Sequence, residues 1–367
     1  MNLRISLIGV VPPPIGGISI YVKQLAEKLA EKGVNVEIID IMGVKKELKR
    51  ENIKLVVVKS WHTKEFVNAL LKSQAKILHA NVGTYRVDPL LLLMALTSRL
   101  RNKKFVITNL GGSFVELMER PIYRKILRII ALNLADGIIT LSARAQRRKI
   151  LEVIPPKKRG KVCSLLLPTD TKKFNPKVDG TIIRKKYNIK DNQNLVIFGP
   201  HLERIYAPDY FIKAASIVAK KKPDTIFMLL GDGALCKELE QMVKQMNLEK
   251  NVIFCGVIPF DDIHRYYAAC DIYCNPCTLG QGISTFEAMA CGKPVIGARV
   301  VQVKIRDKTD GLLFKLENTE DFANKIIWLL EHPDERKQMG INGRQRIEKF
   351  DSLEEHAQKL VEIYSRI

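Results

Sequence analysis

The stretch that decides the fold runs Gly280-Gln281-Gly282-Ile283-Ser284-Thr285-Phe286-Glu287-Ala288-Met289-Ala290-Cys291-Gly292-Lys293-Pro294. It follows an apolar run, Ile272 to Asn275, that reads as a buried strand. Its second half has the composition of a helix from Ser284 to Cys291. The glycines at its start let backbone amides approach a ligand closely. A helix beginning near Ser284 offers unpaired N–H groups and the positive end of its dipole, an arrangement suited to a diphosphate. Glu287, one turn in, is placed to accept hydrogen bonds from ribose hydroxyls. The competing reading is an S-x-x-E capping box, in which Glu287 only satisfies a backbone amide next to Ser284. The local pattern leaves both open.

Outward from this stretch, short apolar strands alternate with amphipathic helices. Strands are expected at Leu195–Phe198, Thr225–Leu230, Asn251–Cys255 and Pro294–Ile296. Helices are expected at Asp209–Lys220, Lys237–Met246 and Phe260–Ala269. The same rhythm fills the first half. Arg4 to Val10 reads as a buried strand. A helix then runs from about Ile18 to Lys32, with the stripe Ile20, Val22, Leu25, Leu29 and a stop at Gly33. Further strands are expected at Val34–Asp40, Leu55–Val58, Lys76–Ala80, Phe105–Thr108, Gly137–Thr140 and Lys161–Leu166. Such alternation implies parallel sheets covered by helices on both faces. The polar segment Asn175 to Asn194 contains Pro176 and Gly180 and reads as a linker. The expected layout is α/β: a doubly wound Rossmann-like domain over 1–175, a linker at 176–193 and a second such domain over 194–350. An amphipathic helix in 351–367 could cross back to the first domain. Ligands of open α/β sheets bind beyond the carboxyl ends of the strands. Site residues are therefore sought on loops that follow strands, facing a cleft between the two domains.

The segment Glu287-Ala288-Met289-Ala290-Cys291-Gly292-Lys293-Pro294-Val295-Ile296 resembles the signature of GT-B glycosyltransferases, specifically the retaining glycosyltransferase family 4. Gly231-Asp232-Gly233, Val252 to Gly256, Tyr266 to Ile272 and Gly311-Leu312-Leu313-Phe314 are similar to further parts of that family's second domain. Pro14 to Val22 resembles its first glycine loop, and Thr169 to Pro176 its inter-domain connection. The resemblance spans nearly the whole chain. It implies a GT-B fold, a nucleotide-diphosphate sugar as donor, and neither cofactor nor metal. Donor-binding roles are implied for Gly16, Gly17, Gly199, His201, Arg204, Gly231, Val257, Gly282, Ile283, Ser284, Thr285 and Glu287, with Glu287 on the ribose. His79, Asn81, Gly111 and Gly112 are acceptor-side candidates.

Several positions depart from the family pattern. Leu279 stands where the family has a glutamate touching the transferred sugar, and Leu110 where it often has a histidine. His201 and Tyr206 occupy the places of an arginine and a lysine that neutralise the diphosphate. A departing nucleoside diphosphate gains negative charge, and losing one group aimed at such charge costs about 10²–10³ in rate. His201 and Arg204 are the candidates to supply that charge.

The net charge of +21 is unevenly spread: residues 1–200 hold 37 Lys and Arg against 15 Asp and Glu, and the remainder hold 23 against 24. A basic half suits an anionic partner. Residues 101–161 carry fifteen Lys and Arg against four acids. Within them Arg120, Arg124, Lys125, Arg128, Arg144, Arg147, Arg148 and Lys149 alternate with Ile126, Leu127, Ile129, Ile130 and Leu132. That pattern fits a basic amphipathic face for an anionic membrane surface. Ordinary core helices with solvated charges give the same string. No run reaches the ~18–20 apolar residues of a membrane span, and Pro12-Pro13-Pro14 interrupts Leu3 to Val11 too early for a signal-peptide core. The expected location is cytoplasmic and peripheral to the membrane, with a lipid-linked or cell-surface glycan as acceptor. Nucleic acid is disfavoured, because the basic stretches lack interleaved aromatics and any helix-turn-helix or RNP-like pattern. A dinucleotide oxidoreductase is disfavoured because the first loop lacks G-x-G-x-x-G. The seven cysteines are odd in number, and the lone Cys274-Asn275-Pro276-Cys277 matches no standard zinc spacing; they read as small buried apolar residues.

Overall fold

The computed structural model describes residues 3–12, 17–42, 51–59, 64–82, 88–110, 121–141, 144–199, 201–278, 282–300, 305–350 and 352–367. The chain divides into two compact units, Met1–Leu167 with Leu353–Ile367, and Pro168–Ser352.

The first unit is built on β1 (Arg4–Gly9), β2 (Asn35–Asp40), β3 (Ile53–Val57), β4 (Ile77–Val82), β5 (Lys104–Asn109), β6 (Gly137–Thr140) and β7 (Val162–Ser164). They form one seven-stranded sheet in the order β3-β2-β1-β4-β5-β6-β7, with every pair parallel. Strands β4 and β6 are buried along their whole length, so neither face of them is turned to solvent. Helix α1 (Gly17–Glu31) covers one face. Helices α2 (Lys64–Lys72), α3 (Asp88–Leu100), α4 (Ile122–Leu134) and α5 (Arg144–Val153) cover the other.

The second unit repeats the plan. Strands β8 (Leu195–Phe198), β9 (Ile226–Leu229), β10 (Val252–Phe254), β11 (Ile272–Asn275), β12 (Val295–Arg299) and β13 (Gly311–Lys315) lie in the order β10-β9-β8-β11-β12-β13, again all parallel. Helices α6 (Thr181–Lys186), α7 (Pro208–Lys221), α8 (Cys236–Gln245), α9 (Ile263–Ala269), α10 (Ile283–Ala290), α11 (Thr319–Glu331) and α12 (Pro333–Phe350) surround them. In each sheet the strand order reverses once, between β1 and β4 and between β8 and β11. Those switch points open a crevice at the carboxyl edge, where such sheets take ligands.

Two boundaries differ from the sequence expectation. The units divide at Leu167–Pro168 rather than after residue 175. Residues 168–175, read as the end of the first domain, are folded into the second unit together with the segment read as a linker. Phe174 is 1% exposed and stacks near Tyr267 and Phe260. Arg344 of α12 donates to the carbonyls of Thr171, Phe174 and Ala290. Polarity alone hid this, because the segment is held by one aromatic anchor and backbone carbonyls instead of an apolar run. The last helix, α13 (Leu353–Arg366), belongs to the first unit and buries Leu353, His356, Ala357, Leu360 and Tyr364 there.

Candidate functional site

The signature segment forms the β11–α10 connection of the second unit. Gly282 is the N-cap of α10, extended at φ −81° and ψ −173°, and no side chain caps the helix. Ser284 lies inside the first turn and is buried. The capping box is therefore not formed: with Gly282 at the cap, Ser284 and Glu287 are both two positions too far along. The Thr285 N–H bonds the Gly282 carbonyl at 3.2 Å, and those of Ile283 and Ser284 are left to a ligand or solvent. The other end of α10 is closed by Gly292 at φ +73°, whose N–H bonds the Met289 carbonyl at 2.9 Å while that of Lys293 bonds Ala288 at 3.1 Å. This is the left-handed stop for which glycine is suited. Behind it, a Cβ on Gly340 of α12 would sit 2.0 Å from the Gly292 carbonyl oxygen. Backbone contact thus locks α10 in place.

Glu287 is 7% exposed. Burial pushes its carboxyl up from the usual 4.5 to about 7, against the pull of Lys173 and a hydrogen bond with Tyr267, and Asp170 adds to the rise. Lys173, from the segment before α6, lies 3.5 Å over the Phe260 ring and 3.3 Å from Asp261. Sequence reasoning missed it, since nothing in the string shows that residue 173 folds back beside residue 287. Asn275 at the end of β11 donates to Thr285 Oγ1 at 3.0 Å, and its own Oδ1 accepts from Cys277 N–H at 3.2 Å. These bonds set the angle at which the chain enters α10.

The loops after β8, β9 and β10 meet beside this helix. Tyr273 Oη donates to the Gly199 carbonyl at 2.8 Å, and Thr278 donates through both N–H and Oγ1 to the carbonyl of Ile205. The β8 loop is thereby tied to the β11 loop. His201 and Arg204 are exposed on it, the His201 ring 5.6 Å from that of Tyr206. Gly233 packs so tightly that a Cβ would be 2.5 Å from the Leu202 carbonyl oxygen. Gly231 and Gly256, both at positive φ, bridge the β9 and β10 loops. Val257 follows, 75% exposed. Gly199, His201, Arg204, Gly231, Val257, Gly282, Ile283, Ser284, Thr285 and Glu287 thus all lie on the carboxyl-edge loops or α10 of this one unit. Leu279, with Gly280 and Gln281, lies outside the described residues.

In the first unit Gly17 opens α1, and a Cβ there would meet nothing within 4 Å. Gly16, Gly111 and Gly112 lie outside the described residues. His79 requires a correction. It is wholly buried in β4, its Nδ1 hydrogen-bonded to Tyr364 Oη and its Nε2 to Thr108 Oγ1 at 2.6 Å. Burial, with the nearby His356, drives it down to about 3. Nδ1 is spent on α13 and Nε2 on β5, so it presents neither to an acceptor. Asn81 is 5% exposed at the strand end, and its Oδ1 has no partner among the described residues. Asn109, at the end of β5, is in the same condition. With Arg128 it lines a small recess. Sequence reasoning overlooked Asn109, although a polar residue closing an apolar strand was the available signal. It also placed Arg128 on an outer basic face, whereas Arg128 is 2% exposed.

Residues 179–346 match the model of the family described as glycosyl transferases group 1. That stretch, most of the second unit, is similar to the group 1 glycosyltransferases. It is 26% identical over 268 residues to a GDP-mannose-dependent alpha-(1-6)-phosphatidylinositol monomannoside mannosyltransferase of Mycolicibacterium smegmatis, covering 70% of this chain and 68% of that one. HepE of Anabaena, solved with UDP, superposes with a TM-score of 0.82 at 18% identity over the full length of both chains. A glycosyltransferase of Rickettsia africae gives 0.81 at 19% identity, over 100% of this chain and 99% of that one. The two parallel sheets are those of the GT-B fold. Among the described residues, no helix is long and apolar enough to cross a membrane.

Proposed function

We propose that the chain is a retaining, metal-independent glycosyltransferase that moves a sugar from a nucleoside-diphosphate donor to a lipid-linked or cell-surface glycan acceptor. It would work at the cytoplasmic face of an anionic membrane. The observation that carries this reading is the uncapped start of α10 at the β8/β11 switch point, with Glu287 buried one turn behind it. The N–H groups of Ile283 and Ser284 suit the diphosphate. Glu287 suits the ribose, because a buried carboxylate gains most from two hydroxyl donors. As the glycosidic bond breaks, charge grows on the leaving diphosphate. The α10 dipole, Arg204 and His201 are the groups of this unit that can stabilise it. The unpartnered Oδ1 of Asn81, at the β4 carboxyl edge, supports an acceptor role for the first unit.

UDP, held by the Anabaena protein, and GDP-mannose, used by the mycobacterial enzyme, name the first two nucleotides to test. One nucleoside diphosphate should raise the unfolding temperature, and the effect should vanish in Glu287→Ala. The matching sugar donor with a membrane extract should release that diphosphate in the presence of a chelator. If no nucleotide stabilises the chain at millimolar concentration, the reading fails. A second reading is favoured by Leu279, His201, Tyr206 and Leu110 in place of the usual family residues: a homologue of impaired activity that binds a nucleotide sugar or partners an active enzyme. Stabilisation by nucleotide without any release under the same conditions selects it.

A further inference from the structure

The α3–α4 face of the first unit is turned inside out. Helix α4 buries Arg128, Ala131 and Leu132. It points Ile122, Tyr123, Ile126 and Ile130 to solvent, at 75%, 53%, 51% and 41% exposure. The three isoleucines recur every four residues and so form one stripe along the helix. Helix α3 lies alongside, with Arg99 donating at 2.8 Å to the Leu134 carbonyl. It adds Leu96 and Leu100, 47% and 83% exposed. A single exposed leucine needs no explanation, whereas six large apolar side chains on two adjoining helices form a patch that does.

The surroundings of the patch are cationic. Arg124 and Lys125 emerge half-buried beside the stripe, and Arg101 and Lys104 follow α3. On the other flank, Lys158 Nζ donates at 3.2 Å to the Asn133 carbonyl, which brings the basic 156–161 turn and α5 against α4. Asp136, one of the few acids nearby, lies 3.5 Å from Arg99 and 4.0 Å from Lys104. Tyr123 presents an apolar ring with a polar tip that accepts from Arg124 Nε at 3.1 Å, a pairing suited to a water–lipid boundary.

We infer that this face docks the chain on a bilayer of anionic lipid, with the isoleucine stripe at the headgroup boundary and the surrounding Lys and Arg on the phosphates. Charge complementarity selects lipid over a second copy of the chain, because two copies would bring cationic rims together. Placement agrees with this. Arg128 lines the recess shared with Val82 and Asn109, so the stripe begins at the carboxyl edge of the sheet, the side on which ligands bind. A lipid-linked acceptor would enter beside its own membrane. The inference deepens the membrane part of the proposed function, but its test needs neither donor nor acceptor.

The full chain is sedimented with vesicles of phosphatidylcholine alone and with about one-third phosphatidylglycerol. It should follow the anionic vesicles and release in high salt. Substituting Ile122→Ser, Ile126→Ser and Ile130→Ser together should weaken binding about ten-fold or more. Its unfolding temperature should hold, since the side chains removed are exposed. Leu96→Ser with Leu100→Ser, on the other helix, gives an independent variant. Arg124→Glu with Lys125→Glu should abolish the preference for anionic lipid. The inference is overturned by equal binding to both vesicle types, by no binding, or by binding indifferent to the apolar substitutions. It is also overturned by a solution dimer that the triple substitution dissolves.

Discussion

The two units share a strand plan and a switch point, yet they use their buried titratable groups in opposite ways. In the first, His79 is bonded to Tyr364 and Thr108, and His356 to Tyr21 at 2.9 Å. Burial brings both histidines down to about 3, so they stay neutral and cohesive. In the second, burial raises Glu287 to about 7. Near neutrality that carboxyl holds a proton it can surrender when a ligand supplies better donors. A buried polar residue near the carboxyl edge is therefore not in itself a site. What matters is whether its lone pairs are already taken within its own unit.

The largest test of the contrast is Tyr364→Ala. It removes a buried ring from α13 and orphans His79, and should cost about 3–5 kcal/mol of stability in denaturant titrations. Tyr364→Phe isolates the hydroxyl and should cost about 1–3 kcal/mol. Neither should alter nucleotide binding. A Tyr364→Phe protein that keeps its stability but loses nucleotide would break the assignment of cohesion to the first unit.

Next in size is Glu287→Ala. Loss of a charged acceptor should reduce nucleotide affinity by about 1.5–3 kcal/mol, or roughly 10- to 150-fold by calorimetry. The empty protein should gain stability above pH 7, where the native carboxyl must ionise in a buried place. A variant that binds nucleotide like the parent would show that Glu287 is as structural as His79.

The pH responses should have opposite signs. The folded histidines lie near 3 against an ordinary 6.5, so the unfolded chain binds more protons between those values. Their contribution is complete above 6.5 and is lost as pH falls, by about 1.4 kcal/mol per pH unit for each. The folded Glu287 lies near 7 against an ordinary 4.5. Its contribution is complete below 4.5 and is lost as pH rises to 7, by at most the same slope. Between pH 5 and 6.5 acidification should weaken the first unit and strengthen the second. A Trp61→Phe protein leaves Trp328 to report on the second unit alone. Parallel shifts of both units would refute the contrast.

Much of this was readable from the string. Strand-forming runs, Gly33 as a helix stop, and the carboxyl-edge loops follow from periodicity and glycine placement. What could not be read depends on long-range burial. Glu287 looks the same in a capping box and in a ribose site until Gly282 is seen at the cap. His79 looks available until Tyr364, 285 residues later, is found on its Nδ1. The α4 string alternates Arg with Ile, and only packing decides that Arg128 faces in while Ile126 faces out. The segment at 168–175 is polar, and its place is set by Phe174 and by carbonyls that Arg344 gathers.

The smallest expected effect sharpens the comparison most finely. Gly282 and Gly17 each stand at the start of a helix that follows a switch-point strand, and a Cβ at either would meet nothing within 4 Å. Neither has the left-handed backbone that only glycine tolerates. Alanine at each should therefore leave stability within about 0.5 kcal/mol of the parent. If the α10 N–H groups receive a diphosphate, a methyl on Gly282 intrudes on the ligand rather than on the protein. Nucleotide affinity should then fall several-fold in Gly282→Ala, with the unfolding temperature unmoved. Gly17→Ala, in the unit whose polar groups are turned to cohesion, should change nucleotide affinity by less. Equal losses at the two glycines would mean that the first unit also touches the donor, and the division of labour between the sheets would have to be redrawn.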